Sequence, residues 1–130
     1  MARFAVAFLA VLLTMNVAYG KDLEIKKKAG QYDVEVKIDR NPPVVGENHM
    51  EIEIKDKSGS YVTDAKVTVE YSMPPMSGMP PMNYKESATL KGEEYKAKLN
   101  LSMSGSWNVA VKIRRGDDTE TVKFTVDAKK

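Results

Sequence analysis

Apolar and polar residues alternate along most of this chain. "YDVEVKI" puts Tyr32, Val34, Val36 and Ile38 on one side and Asp33, Glu35 and Lys37 on the other. "HMEIEIK" repeats the pattern with Met50, Ile52 and Ile54, and "AKVTVEY" with Ala65, Val67, Val69 and Tyr71. "EYKAKLNLSM" carries Tyr95, Ala97, Leu99, Leu101 and Met103 in one register; "WNVAVKI" carries Trp107, Val109, Val111 and Ile113. "VKFTV" closes the series with Val122, Phe124 and Val126. A period of two with one wet face predicts antiparallel strands. "DLEIK" and "YKESATL" read as weaker edge strands, and no segment shows a helical period.

Turn residues separate the runs: Asn41-Pro42-Pro43 with Gly46, then "DKSGS", "KGEE", "SGS" and "RGDD". Seven or eight short strands spaced this way predict an all-β, immunoglobulin-like antiparallel β-sandwich. The likeness to antibody domains is architectural only, because their Cys…Trp…Cys pattern is absent.

The first twenty residues read as something else. Arg3 gives a basic start, Phe4 to Leu13 is an uncharged apolar run, and Ala18-Tyr19-Gly20 places small residues where a signal peptidase reads. The run is short of the roughly 18–20 apolar residues a membrane span needs. We therefore expect residues 1–20 to be a secretory signal peptide and residues 21–130 to be a single domain, periplasmic or secreted, without stable membrane insertion after cleavage.

Of the 20 basic residues only Arg3 precedes position 21, so 19 remain against 18 acidic ones. The charges alternate in sign and form no basic block, so no nucleic-acid partner is expected. The absence of cysteine excludes disulfides, zinc–thiolate sites and a thiol nucleophile. With one histidine, no cysteine and no glycine-rich phosphate loop, no catalytic set can be assembled. The expectation is a protein that is not an enzyme. Arg115-Gly116-Asp117 is read as a turn rather than an adhesion tripeptide. The sequon at Asn100 matters only in a eukaryotic secretory route.

One motif is unusual. "MPPMSGMPPM" runs from Met73 to Met82 and holds four of the eight methionines. Its prolines argue against a central strand or a helix. Polyproline II has three residues per turn, so Met73, Met76, Met79 and Met82 would share a stripe with neighbours ~9 Å apart. Ser77-Gly78 offers a bend that would set one Met-Pro-Pro-Met against the other. If successive strands run up and down, Met50, the loop, Met103 and Trp107 all fall at one end of the sandwich.

Thioether sulfur is soft and uncharged. It suits Cu(I) and, by the same softness, Ag(I), and is a poor ligand for Mg²⁺, Ca²⁺ or Zn²⁺. The candidate ligands are Met76, Met79, Met82 and Met103, then Met73 and Met50, with His49 beside them. Met50 and Met103 also continue the inward register and can be read as core. His49 and Met50 are adjacent and point to opposite faces. Trp107 is expected to anchor the core. The methionines also suit a second use, an adaptable apolar surface for docking a partner.

"NPPVVGENHMEIEIKDKSGSYVTDAKVTVEYSMPPM" followed by "GEEYKAKLNLSMSGSWNVAVKI" resembles the YtkA-like/FixH-like group of exported bacterial domains. The matching elements are Gly46-Glu47-Asn48, Gly59 before "VTDAKVTV", the Met-Pro-Pro-Met at Met73 to Met76, Gly92 with Tyr95, and Met103 to Trp107. The resemblance implies an immunoglobulin-like sandwich outside the cytoplasm without enzymatic activity. It also implies a link to copper handling, with a metal-transport or oxidase-assembly protein as partner. Two departures are visible: FixH-type members usually keep a transmembrane helix, and the doubled motif here is richer in methionine than the family's usual stretch.

Overall fold

The computed structural model describes residues 22–130, and the expected signal peptide lies outside the described residues. Nine strands follow one another: β1 (Leu23–Ala29), β2 (Tyr32–Ile38), β3 (Gly46–Lys55), β4 (Lys66–Met73), β5 (Met82–Ser87), β6 (Thr89–Lys91), β7 (Glu94–Leu101), β8 (Gly105–Arg115) and β9 (Asp118–Ala128). They form a five-stranded sheet in the order β1-β2-β3-β7-β6 and a four-stranded sheet in the order β5-β4-β8-β9. Every neighbouring pair is antiparallel. The all-β sandwich is the expected one, and among the described residues no helix is long and apolar enough to cross a membrane.

The strand count differs from the sequence expectation for a local reason. "YKESATL" is not one edge strand. Its first part belongs to β5, whose pairing with β4 ends at Thr68 and Ser87. The Ala88 N–H then donates to the Val67 carbonyl at 2.9 Å. After that bond the chain crosses to the other sheet and pairs as β6 with β7. Ser87, Ala88 and Thr89 carry no bulky apolar group, so nothing in the pattern marks the crossing. Two other boundaries move slightly: β7 stops at Leu101, before Met103, and β8 begins at Gly105, before Trp107.

The inward positions form one core. Val36, Ile52, Ile54, Val69, Leu99, Leu101, Trp107 and Val111 are buried with their alternation partners facing out. Each such side chain contributes on the order of 1.5–3 kcal/mol by leaving water. Asn48 is the one polar or charged residue buried among the described residues. Its Oδ1 accepts from the Val44 N–H at 2.9 Å, and its Nδ2 donates to the carbonyls of Val44 (2.8 Å), Gly46 (3.2 Å) and Leu99 (3.2 Å). Asn48 thus fixes where β3 starts and holds it to β7. Tyr95 ties down the β3–β4 connection: its hydroxyl donates to the Val62 carbonyl at 2.9 Å and accepts from the Ala65 N–H at 3.1 Å.

The register defines two poles. Gly46 at the start of β3 faces Leu101 at the end of β7. In the other sheet Ser72, near the end of β4, faces Asn108, near the start of β8. The Tyr71 hydroxyl accepts from the Asn100 N–H at 3.1 Å, which brings these ends together across the sandwich. The β4–β5 and β7–β8 connections therefore share a pole, and the methionine motif is one of them.

Candidate metal centre

The Met73–Met82 segment is a closed hairpin. Met73 pairs with Met82 at the end of the β4–β5 ladder, and Met76 forms a bridge with Met79. Both pairs belong to one register, so the palindrome folds methionine onto methionine and proline onto proline. The reversal is at Ser77-Gly78. The Met79 N–H donates to the Met76 carbonyl at 2.9 Å, and Gly78 has a φ of 80°, the sign a type II turn requires at its third position. The expected bend is present where the sequence placed it.

The four methionines face one another. Met73, Met76, Met79 and Met82 line a single cleft, joined among the described residues only by Pro74 and Pro80. In a pleated strand residues three apart point to opposite faces. Here the Pro-Pro steps lie outside the regular strands, and a three-residue period brings the methionines back to one side. The cleft is too small for a water molecule. It contains no carboxylate, imidazole or ammonium group. Its floor is Met73, only 4% exposed, and its outer rim is Met76, 47% exposed; Met79 and Met82 are half-buried.

The β7–β8 turn buttresses the cleft. The Ser102 hydroxyl donates to the Met82 sulfur at 3.6 Å and lies 3.3 Å from the Tyr84 hydroxyl. Gly105, at φ 125°, leaves room for the Met73 methyl: a Cβ there would stand 3.1 Å from it. Between these two contacts sits Met103. It is half-buried against the core, and its carbonyl accepts from Trp107 Nε1 at 3.0 Å. Met103 is thus at the same pole as the hairpin, on the adjoining turn, although it does not line the cleft itself. Beneath lies an aromatic cluster. The Tyr71 and Tyr84 rings are 5.3 Å apart, and each is 6.0 Å from Trp107. Burial pushes the Tyr71 phenol above its usual pKa, so it stays a neutral hydrogen-bonding group at this pole.

Met50 and His49 do not join the cluster. β3 starts at Gly46, so Met50 is not at its tip but well along it, opposite Ile38 and Ala97. It is 1% exposed, and drawing it out to ligate a metal would forfeit about 1.5–3 kcal/mol of core burial. His49 is on the outer face. Its Nδ1 is 3.1 Å from Asp39 Oδ2, and its Nε2 is 3.1 Å from Glu47 Oε2. Partial burial acts to raise the pKa of the Asp39 carboxyl. The His49 backbone N–H, ring and charge outweigh that and hold it below its ordinary value. Among the described residues no group of three or more His, Cys, Asp or Glu side chains is placed to hold a metal.

Alternation located Met73 and Met103, and the palindrome located the bend. Ser102, Tyr84 and the lining role of Pro74 and Pro80 were missed. Tyr84 had a signal, since it follows Met82 by two residues and so shares its face. Ser102 had none, because its link to Met82 spans 20 positions.

A family model described as YtkA-like matches residues 23–112, from the start of β1 into β8, and includes the whole hairpin. No curated protein and no solved structure matches the chain.

Proposed function

This chain belongs to the YtkA-like family, and from that premise we propose that it is an exported, non-catalytic domain that holds Cu(I) or Ag(I) at its methionine hairpin and passes the ion to a metal-transport or oxidase-assembly protein. The observation that carries this reading is the composition of the cleft, four thioethers and two prolines with no hard donor. Such a set selects soft monovalent ions over Zn²⁺ or Mg²⁺ by ligand type alone. The ligands are Met76, Met79 and Met82, with Met73 from the floor and Met103 from the adjoining turn. Unbranched methionine side chains can rearrange around an ion without moving the backbone. An outer-rim ligand as exposed as Met76 gives a partner's sulfur a place to attack, which suits transfer rather than storage.

The test is a competition assay with the Met76→Ile, Met79→Ile, Met82→Ile variant. Isoleucine keeps apolar bulk and removes sulfur. The variant is expected to fold with unchanged circular dichroism and to lose Ag(I) and Cu(I) to a competing chelator that the parent resists. Equal retention by the variant overturns the proposal.

A second reading has its own support. Among the described residues, Met76, Tyr84 and Leu90 are the large apolar side chains left exposed, and they belong to the hairpin and to the edge strands β5 and β6 that follow it. A partner docking there would use the same hairpin as an apolar surface. Ag(I) that leaves the melting temperature and the methionine methyl signals unchanged favours this alternative.

A further inference from the structure

The four cleft thioethers differ sharply in access to solvent, and that gradient has a chemical consequence. Met76 is 47% exposed, Met79 and Met82 are half-buried, and Met73 and Met50 are 4% and 1% exposed. The Met82 sulfur also receives the Ser102 hydroxyl at 3.6 Å, which occupies one of its lone pairs. Oxidation of a thioether needs an accessible sulfur, and a hydrogen bond donated to the sulfur makes it less nucleophilic. We propose that Met76 is a reversible oxidation site, and that its conversion to the sulfoxide by a hydroperoxide empties the metal cleft. The coupling rests on the soft-metal reading above.

In this step the Met76 sulfur attacks the terminal oxygen of hydrogen peroxide. An S–O bond forms as the O–O bond breaks. The sulfur gives up two electrons, and the departing hydroxide takes the peroxide's remaining proton to leave as water. The product loses its function as a ligand in two ways. Its sulfur is no longer a soft donor, and its oxygen is a hard one that Cu(I) and Ag(I) disfavour. The oxygen also has no donor to pair with inside the cleft. Pro74 and Pro80 have no N–H, no side-chain donor lines the walls, and the Met79 N–H is already given to the Met76 carbonyl. Burying an unpaired polar oxygen is costly, so the sulfoxide turns outward to water and takes the rim ligand with it. Methionine sulfoxide reductases, one for each epimer, return the thioether and restore the site. The rim position thereby couples metal release to peroxide and leaves the core intact.

The experiment treats the chain with a graded series of hydrogen peroxide and removes the oxidant. Methionine-containing peptides are then mapped by mass spectrometry, and Ag(I), which does not redox-cycle, is titrated into each sample. The expected order of oxidation is Met76, then Met79 and Met82, with Met73 and Met50 last. Samples oxidised at Met76 alone are expected to bind Ag(I) roughly tenfold more weakly, the change that 1.4 kcal/mol produces. Treatment with both reductases is expected to restore binding. A Met76→Leu variant is expected to bind Ag(I) at the reduced level from the outset and to be insensitive to low peroxide. Oxidation that begins at Met73 or Met50 overturns the accessibility argument. Unchanged Ag(I) binding after oxidation at Met76 overturns the coupling and leaves the metal reading standing. An untreated chain that binds no Ag(I) overturns the metal reading and with it the coupling.

Discussion

Replacing Gly78 by alanine tests whether the closed hairpin, rather than its methionine content, makes the site. Gly78 has a φ of 80°, and a Cβ added there would meet nothing within 4 Å. The substitution therefore adds no clash and acts only through the backbone. A side chain in the left-handed region costs roughly 1–2 kcal/mol. Because the turn closes the hairpin, that cost falls on the conformation in which Met76 faces Met79. If binding needs this conformation, apparent affinity falls by the fraction of molecules that lose it. At 1.4 kcal/mol per factor of ten, the expected loss of Ag(I) affinity is on the order of tenfold. Asparagine tolerates the left-handed region better than other residues, so Gly78→Asn is expected to recover most of it. Gly92 supplies the control. It has a φ of 68°, also meets nothing within 4 Å, and lies in the β6–β7 turn at the opposite pole. Gly92→Ala carries the same kind of backbone cost and is expected to leave Ag(I) affinity unchanged. The assay is a competition titration of all four proteins, with melting curves to verify folding. Wild-type affinity in Gly78→Ala, or an equal loss in Gly92→Ala, refutes the reasoning.

Three further outcomes follow from the structure. Asn48→Ala leaves the Val44 N–H and the Gly46 and Leu99 carbonyls without their side-chain partner, and is expected to destabilise the fold by about 2–3 kcal/mol in urea unfolding. Ag(I) affinity should not change with pH across about 5–8, because thioethers do not protonate and the His49 imidazole is outside the cleft. A fall in affinity through that range, measured by titration at fixed ionic strength, would place an imidazole among the ligands. The Asp39 carboxyl, held below its ordinary pKa, gives the fold stability that is present above about pH 4 and is lost as pH falls through the lowered value. Acid unfolding of Asp39→Asn is therefore expected to begin from a lower stability at neutral pH and to show a shallower acid limb.

The sandwich was legible because its core positions obey a strict period of two. Tyr32 to Ile38 and Trp107 to Ile113 could hardly be read otherwise, and their burial follows the pattern residue by residue. The hairpin was legible for a different reason: only Ser77-Gly78 could turn a chain stiffened on both sides by paired prolines. Depth along a strand was not legible. Alternation gives the face on which Met50 lies but not its distance from the strand end, which the Asn48 hydrogen bonds set by starting β3 at Gly46. The sheet switch at Ala88 was hidden because small residues carry no periodic signal. Contacts such as Ser102 with Met82 arise only when two turns meet, and no local pattern encodes them.

The most direct measurement is a ¹³C-methyl methionine spectrum of the chain during titration with Ag(I). The methyl signals of Met76, Met79 and Met82 are expected to move together and saturate together, those of Met73 and Met103 to respond, and that of buried Met50 to stay where it is. A spectrum in which the hairpin signals remain fixed, or in which Met50 moves with the His49 ring, contradicts the proposed site.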